Sequence, residues 1–476
     1  MNICMVSSEA LPFVKVGGLG DVVYSLSNKL AKKKINVSVV IPFYKKVLSK
    51  IEDKENIENL GTFPIKMSWR ELEVTFYRYK YNKVNYYFIC NGYYFGRDNI
   101  YGEQDDFERF AFFDLAAYEL IFNYIKKVDI VHLHDWQASA VALLHHHNKT
   151  KKNENVKFML TIHNPAFQGI CQRNDLYQYF NLPESYFDEG LARLDDNVNL
   201  LKAAIMLSSK ISTVSPTHKD ELLRGVAAGG LEKVLPFRQD DFIGIINGVD
   251  VVEFNPSTDN LIYEKYNKTN VFKGKRLNKE AFAKEFGLAH PEYPTFAIVS
   301  RLTSQKGINF IVDNLDNLLK LKLNFVVLGQ GEERFEKALV NACEGKDNAV
   351  ILIKYSDALA HKIYASSDFL LMPSIFEPCG ISQMIAMRYG TVPIAGKVGG
   401  LVDTITPFNQ FNEETATGFL MGLSDESVLN NIWMALDVYS KRRIYNKLVH
   451  NCMNRDFSWD ASCEKYIEAY NEILGK

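Results

Sequence analysis

A heptapeptide near the start of the chain, Lys15-Val16-Gly17-Gly18-Leu19-Gly20-Asp21, returns close to its end as Lys397-Val398-Gly399-Gly400-Leu401-Val402-Asp403, with a single position changed. Paired glycines let backbone amides approach an anion where a Cβ would stand in the way. A helix starting just after them adds the positive end of its dipole, and a lysine adds a full charge. Each copy reads as a phosphate or sugar cradle. One glycine-rich turn is ordinary, but its repetition, lysine included, is not. Two cradles so far apart in sequence fit two α/β domains facing one cleft, with a phosphate-bearing substrate held between two lobes.

The 476 residues are enough for two domains, each burying its own core. With 47% hydrophobic and 24% charged residues the composition is that of a soluble globular protein. No apolar run reaches the roughly 18 residues of a membrane span. The opening Met1-Asn2-Ile3-Cys4-Met5-Val6-Ser7-Ser8-Glu9 has no basic stretch and reads as a first strand rather than a signal peptide, so a cytoplasmic location is expected. Seven cysteines with no Cys-x-x-Cys pair argue against a disulfide framework and a structural zinc site. A net charge of −2 predicts no nucleic-acid footprint, and Lys32-Lys33-Lys34 reads as the solvated end of a helix. The run His145-His146-His147, with no cysteine or carboxylate cluster nearby, reads as surface and not as a metal site.

Apolar strands at 2–6, 37–41, 130–133 and 158–162 alternate with helical patterns at 21–33, 106–126 and 136–147, the βαβ signature of a parallel sheet. Two β-rich runs within 71–89, flanking Lys80-Tyr81-Asn82-Lys83, predict an inserted hairpin. Beyond Asn247-Gly248-Val249-Asp250 the rhythm is lost for roughly 40 residues, as in a linker, and a boundary falls near residue 250. Strands at 296–300, 325–328, 350–353, 369–372 and 392–394 then build a second doubly wound sheet. The expected division is a Rossmann-like domain at 1–246 and a second at 247–456, with a linker at 247–275.

Ligands of such sheets bind outside the carboxyl ends of the strands. There the second lobe places Arg301-Leu302-Thr303-Ser304-Gln305-Lys306-Gly307, Gly329-Gln330-Gly331-Glu332, Lys354-Tyr355-Ser356-Asp357, Pro373-Ser374-Ile375-Phe376-Glu377-Pro378-Cys379-Gly380 and the second glycine cradle, in that order. Arg301 and Lys306, on one loop entering a helix, can both reach a pyrophosphate and neutralise a departing nucleoside diphosphate. Gly380 is expected to open a helix whose free amides hold phosphate or sugar oxygens, while Glu377 either serves the site or merely offsets that helix dipole. Tyr355 either stacks on a base or covers the edge of the core. No two aspartates are separated by one residue, so the Asp-x-Asp site of metal-dependent transferases is absent, and the cationic pair does the metal's electrostatic work. Neither metal nor other cofactor is expected.

The Lys15–Asp21 heptapeptide, Ser300-Arg301-Leu302-Thr303-Ser304-Gln305-Lys306-Gly307 and Phe376-Glu377-Pro378-Cys379-Gly380 together resemble bacterial glycogen synthase and plant starch synthase. These are retaining glucosyltransferases of the GT-B fold that use ADP-glucose. His132-Leu133-His134-Asp135-Trp136, Thr161-Ile162-His163-Asn164-Pro165-Ala166-Phe167-Gln168-Gly169 and Asp456-Phe457-Ser458-Trp459 extend the resemblance essentially end to end. It implies that Arg301 and Lys306 bind the donor diphosphate, Glu377 the transferred glucose, and Tyr355 the adenine. Cys379, Gly380, Gly399 and Gly400 would line the donor, and Lys15, Gly17 and Gly18 would reach it from the opposite lobe. Asp135 and His163 would line the sugar and acceptor side. Residues 457–476 would form a helix returning to the first domain. Three positions depart from the family pattern: Ile375 for arginine, Val398 for threonine and Gln137 for histidine.

The expected activity is transfer of glucose from ADP-glucose to the nonreducing end of an α-1,4-glucan (glycogen), by a monomer or small homo-oligomer. The rivals are a UDP-glucose enzyme, a sucrose- or trehalose-type enzyme, and a silent glucan-binding homologue. The sucrose and trehalose pattern has a second glutamate where Ile385 stands, and a silent homologue has no need of an intact Lys15, Arg301, Lys306 and Glu377.

Overall fold

The computed structural model describes residues 1–476, which divide into two compact units, Met1–Ile245 with Trp459–Lys476, and Ile246–Ser458. No helix is long and apolar enough to cross a membrane.

The first unit is built on nine strands: β1 Asn2–Val6, β2 Asn36–Pro42, β3 Glu58–Lys66, β4 Glu71–Tyr81, β5 Val84–Cys90, β6 Ile130–His134 and β7 Lys157–Ile162, then, after a small sheet of β8 Ile170–Cys171, β9 Arg193–Leu194 and β10 Asn197–Asn199, β11 Lys210–Thr213 and β12 Phe242–Gly244. Their order is β12-β11-β7-β6-β1-β2-β5-β4-β3. From β12 to β5 all neighbours are parallel, and β5, β4 and β3 are antiparallel. Strand β6 is buried along its whole length, which is why it reads as one apolar run. Because β2 lies on one side of β1 and β6 on the other, the sheet reverses winding there, and the crevice opens at Val6 and His134. The expected hairpin is β4–β5, turned at Asn82 and Lys83, whose positive φ values of 48° and 69° suit a two-residue connection.

The helix Gly18–Lys32 packs against the terminal helix Trp459–Ile473, to which it is tied by Lys29–Asp460 at 2.7 Å and by a Lys33–Glu464 ion pair. The helix expected over 106–126 runs from Asp106 to Glu119 and ends in a π turn. That expected over 136–147 opens as a 3-10 turn at Trp136–Ala138 and becomes α-helical at Ala140–His147. Of the histidine run expected at the surface, His146 and His147 are exposed, but His145 is buried and its Nε2 donates to Asn153 O at 3.1 Å.

The second unit holds a six-stranded parallel sheet of β13 Thr295–Val299, β14 Asn324–Gly329, β15 Ala349–Ile353, β16 Phe369–Met372, β17 Val392–Gly396 and β18 Phe419–Met421, ordered β15-β14-β13-β16-β17-β18. Its winding reverses between β13 and β16. The segment expected to be an irregular linker is built into this unit. It contains the helix Val271–Phe286, and Tyr266 is buried with its OH donating to Tyr389 O at 2.8 Å. Its periodicity is masked because the inward face carries Lys275, Asn278 and Lys279. Lys275 Nζ finds Tyr389 O at 3.0 Å and Thr391 Oγ1 at 2.8 Å, and Lys279 pairs with Asp368.

Candidate functional site

In the second unit the winding reversal sets the loop after β13 beside the loop after β16. The contact between them is close. Gly307 has a φ of 69°, and a Cβ there would lie 1.9 Å from Pro373 O, so no other residue fits. Ile375 N donates to Gln305 O at 2.9 Å across the same junction. The result is an ion pair between Lys306 and Glu377, with Ser374 Oγ donating to Glu377 Oε2 at 3.2 Å. Glu377 is 8% exposed, so its carboxylate is held in a site poor in water. Arg301 lies exposed on the same loop, and its guanidinium has neither hydrogen bond nor ion pair. One paired and one uncompensated cation thus stand together at a strand-end crevice, a charge arrangement suited to an anion.

The loop is itself held from the next strand end. Glu332, after β14, accepts from Ser304 N at 2.7 Å, Ser304 Oγ at 3.0 Å and Arg334 Nε at 2.9 Å, and the backbone bond foremost, then the Arg334 and Ser304 side chains, hold its carboxyl below the usual range. The sequence shows this glutamate in a glycine-rich loop but carries no signal of its target. Tyr355, at the end of β15, is 75% exposed, and its OH donates to Asp357 Oδ1 at 2.7 Å, which removes the reading of it as a cover on the core edge.

The glycine positions differ from expectation in what their amides do. Gly400 N donates to Glu377 O at 3.1 Å and Pro378 O at 3.2 Å, and a Cβ on Gly400 would sit 2.3 Å from Cys379 O. That amide positions the Glu377 loop instead of waiting for an anion. Gly399 opens a helix of only six residues, Gly399–Thr404. Gly380 does not open a helix: it has a φ of 71°, the helix begins at Ser382, and Gln383 Nε2 donates back to Cys379 O at 3.1 Å and Gly380 O at 3.0 Å. Burial pushes the Cys379 thiol up to about 12, so it stays neutral.

In the first unit the crevice receives Lys15, Gly17 and Gly18 after β1, Asp135 after β6 and His163 after β7. Gly17 caps the helix beginning at Gly18. The anion already in this cradle is the protein's own: Glu9, only 3% exposed, accepts from Val16 N and from Gly17 N at 3.1 Å, and Tyr101 OH donates to it at 2.6 Å. Lys15 pairs with Asp21 at 2.8 Å. Glu9 was not singled out in the sequence, where it is one carboxylate ending a strand.

Asp135 has a φ of 60°, a strained conformation for a residue with a Cβ, of the kind that collects at functional sites. Its Oδ1 accepts from His163 N at 2.7 Å and Asn164 N at 3.2 Å, locking the ends of β6 and β7 together. Burial raises its pKa to about 7 against those two bonds. His163 is held neutral, its pKa lowered by burial to about 3, and its Nε2 lies 3.0 Å from His134 Nδ1.

Known proteins match both units. The family described as starch synthase catalytic domain covers residues 2–236, and that described as glycosyl transferases group 1 covers 279–431. Glycogen synthase of Caldicellulosiruptor saccharolyticus is 39% identical over 100% of both chains, and that of Ligilactobacillus salivarius is 38% identical over 100% of both. The solved catalytic domain of starch synthase IV from Arabidopsis thaliana, bound to ADP and acarbose, superposes with a TM-score of 0.90 at 32% identity, over 100% of this chain and 99% of that one. With two Rossmann-like α/β units and this end-to-end identity, the chain belongs to the glycogen and starch synthase family of GT-B glucosyltransferases.

Proposed function

We propose that this chain transfers glucose from ADP-glucose to the nonreducing end of an α-1,4-glucan with retention of configuration. The observation that carries the reading is the pairing of Lys306 with Glu377 beside an uncompensated Arg301 at the winding reversal of the second unit. In this reading Arg301 and Lys306 take the diphosphate and stabilise the charge that develops as ADP departs. Glu377 moves from Lys306 to hydroxyls of the glucose, which frees the ammonium for phosphate as the sugar arrives. Tyr355 offers its exposed ring to adenine. Lys15, Gly17 and Gly18 serve the donor and Asp135 and His163 the sugar and acceptor. Cys379, Gly380, Gly399 and Gly400 shape the loops around Glu377. Acarbose in the Arabidopsis structure, an oligosaccharide analogue, supports a glucan acceptor. Ile385, in the helix Ser382–Arg388, stands where the sucrose and trehalose pattern has its second glutamate, so that reading lacks its carboxylate.

The test is ADP or UDP release and glucan elongation with each donor and glycogen. Faster turnover with ADP-glucose is expected, and a preference for UDP-glucose or the absence of elongation would overturn the reading. Tyr355→Ala removes a stacking contact worth about 0.5–1.5 kcal/mol with adenine and less with uracil, and should narrow the ratio of kcat/KM for the two donors by about twofold to, at most, roughly tenfold. An unaltered ratio would remove Tyr355 from the base site.

A further inference from the structure

Behind His163 stands a histidine that touches no solvent. His134 ends β6, is fully buried, and directs Nδ1 at His163 Nε2, 3.0 Å away. Its other ring nitrogen, Nε2, is buried without a partner. Its neighbour His132 is by contrast satisfied at both nitrogens, by Tyr470 OH at 2.8 Å and Thr161 Oγ1 at 2.7 Å. Burial lowers the pKa of both His134 and His163, so each ring carries one N–H and one lone pair.

Two arrangements of these protons are open. If His163 Nε2–H donated, His134 would carry its own proton on Nε2, a buried N–H with no acceptor. If His134 Nδ1–H donates, the unpartnered Nε2 is only a lone pair. A buried orphan donor is the rarer and costlier defect. The second arrangement also forces the proton of His163 onto its Nδ1. The Nε2 of this half-buried residue faces His134, so Nδ1 is the side-chain polar atom of His163 left for a ligand.

We propose that His134 is a positioning residue whose Nδ1–H donates to His163 Nε2 and holds His163 in the Nδ1–H form, so that His163 presents a hydrogen-bond donor to a sugar hydroxyl and does not serve as a base. The consequence for substrate rests on the reading of His163 as a sugar-lining residue, whereas the proton arrangement does not.

Neutron diffraction from perdeuterated crystals of the full chain reads the protons directly. Deuterons are expected on Nδ1 of both His134 and His163, and a deuteron on Nε2 of His163 would overturn the proposal. His134→Asn sets an amide N–H near the place of Nδ1 and should keep kcat/KM within about threefold of the parent, while His134→Leu, which has no donor, should lower it about tenfold. A folded His134→Leu with parental activity, or His134→Asn as impaired as His134→Leu, would count against it. Should the leucine variant fail to fold, the deuteron positions in the parent decide alone. Parental activity in His163→Ala would remove His163 from the sugar site and end the consequence for substrate, leaving the deuteron result to stand or fall separately.

Discussion

Arg301 and Lys306 share a loop and a charge, yet their surroundings predict different behaviour on truncation. Each should lose roughly 2–4 kcal/mol of transition-state stabilisation as alanine, because a diphosphate shielded from water loses a charge-assisted partner. Arg301 is exposed and unpaired, so Arg301→Ala should lower turnover with no change in melting temperature. Lys306→Ala also strands the buried Glu377 carboxylate and should lower both. Steady-state kinetics and calorimetry on the two variants check this, and near-parental turnover in either at saturating donor would remove it from the diphosphate site. For Asp135 the sign follows from its raised pKa. Between about pH 4, the ordinary aspartate value, and about 7 the folded protein holds a proton that the unfolded chain has lost, so this group's contribution to stability falls as pH rises through that window and is level above it. Asp135→Asn should flatten that fall. If the carboxylate form accepts a sugar hydroxyl, the parent's kcat/KM should rise through about pH 7 and the variant's should not. Lys306, Glu377 and Asp135 are legible as single letters because each stands on a loop that follows a strand. Glu332 and His134 are not, because each acts on a loop that another strand delivers, and Glu9 is not, because its targets are set by how its own loop folds back.

Among the elements, the central strands β1, β6, β13, β14 and β16 are plain in the sequence because both of their faces are covered, leaving short apolar runs. The edge strand β3 is largely exposed and carries Pro64 and an irregularity near Gly61, and β12 and β18 are only three residues long, so no periodicity marks them. The helix Val271–Phe286 is hidden for the opposite reason, since lysine and asparagine occupy its buried face. Lys275→Met tests how much that polar anchoring contributes. It takes a donor from Tyr364 O, Ala365 O and Tyr389 O, of which the first keeps Thr391 Oγ1 and the last keeps Tyr266 OH, and should destabilise the protein by about 1–3 kcal/mol, read from denaturant midpoints at constant slope. Burial lowers the Lys275 pKa to about 7, below that of a lysine in the unfolded chain, so the parent should gain stability as pH rises from about 7 to 10, and the methionine variant should lose that gain. A neutral or stabilising substitution would show the amine to be dispensable.

For the whole molecule, the family resemblance implies that Lys15 of one unit serves the same donor as Arg301, Lys306 and Glu377 of the other, which requires the units to close on it. A smaller radius of gyration is therefore expected in solution scattering when ADP-glucose is added, since exclusion of water from the reacting sugar needs closure. An unchanged radius with donor binding confirmed would assign the donor to the second unit alone. Two doubly wound sheets, the course of their central strands and the residues that follow the strand ends are legible in the order of residues, because period and strand-end position are local properties of the chain. Which groups those residues meet is fixed only once the strands and loops are assembled. The amides of Val16 and Gly17 are already taken by Glu9, that of Gly400 holds the Glu377 loop, and one face of His163 belongs to His134. The first folds the loop after β1 back on itself, and the other two join loops delivered by different strands. Whether an amide or an imidazole is spent on the fold or left for substrate therefore depends on how each loop folds and on the order in which the strands lie side by side.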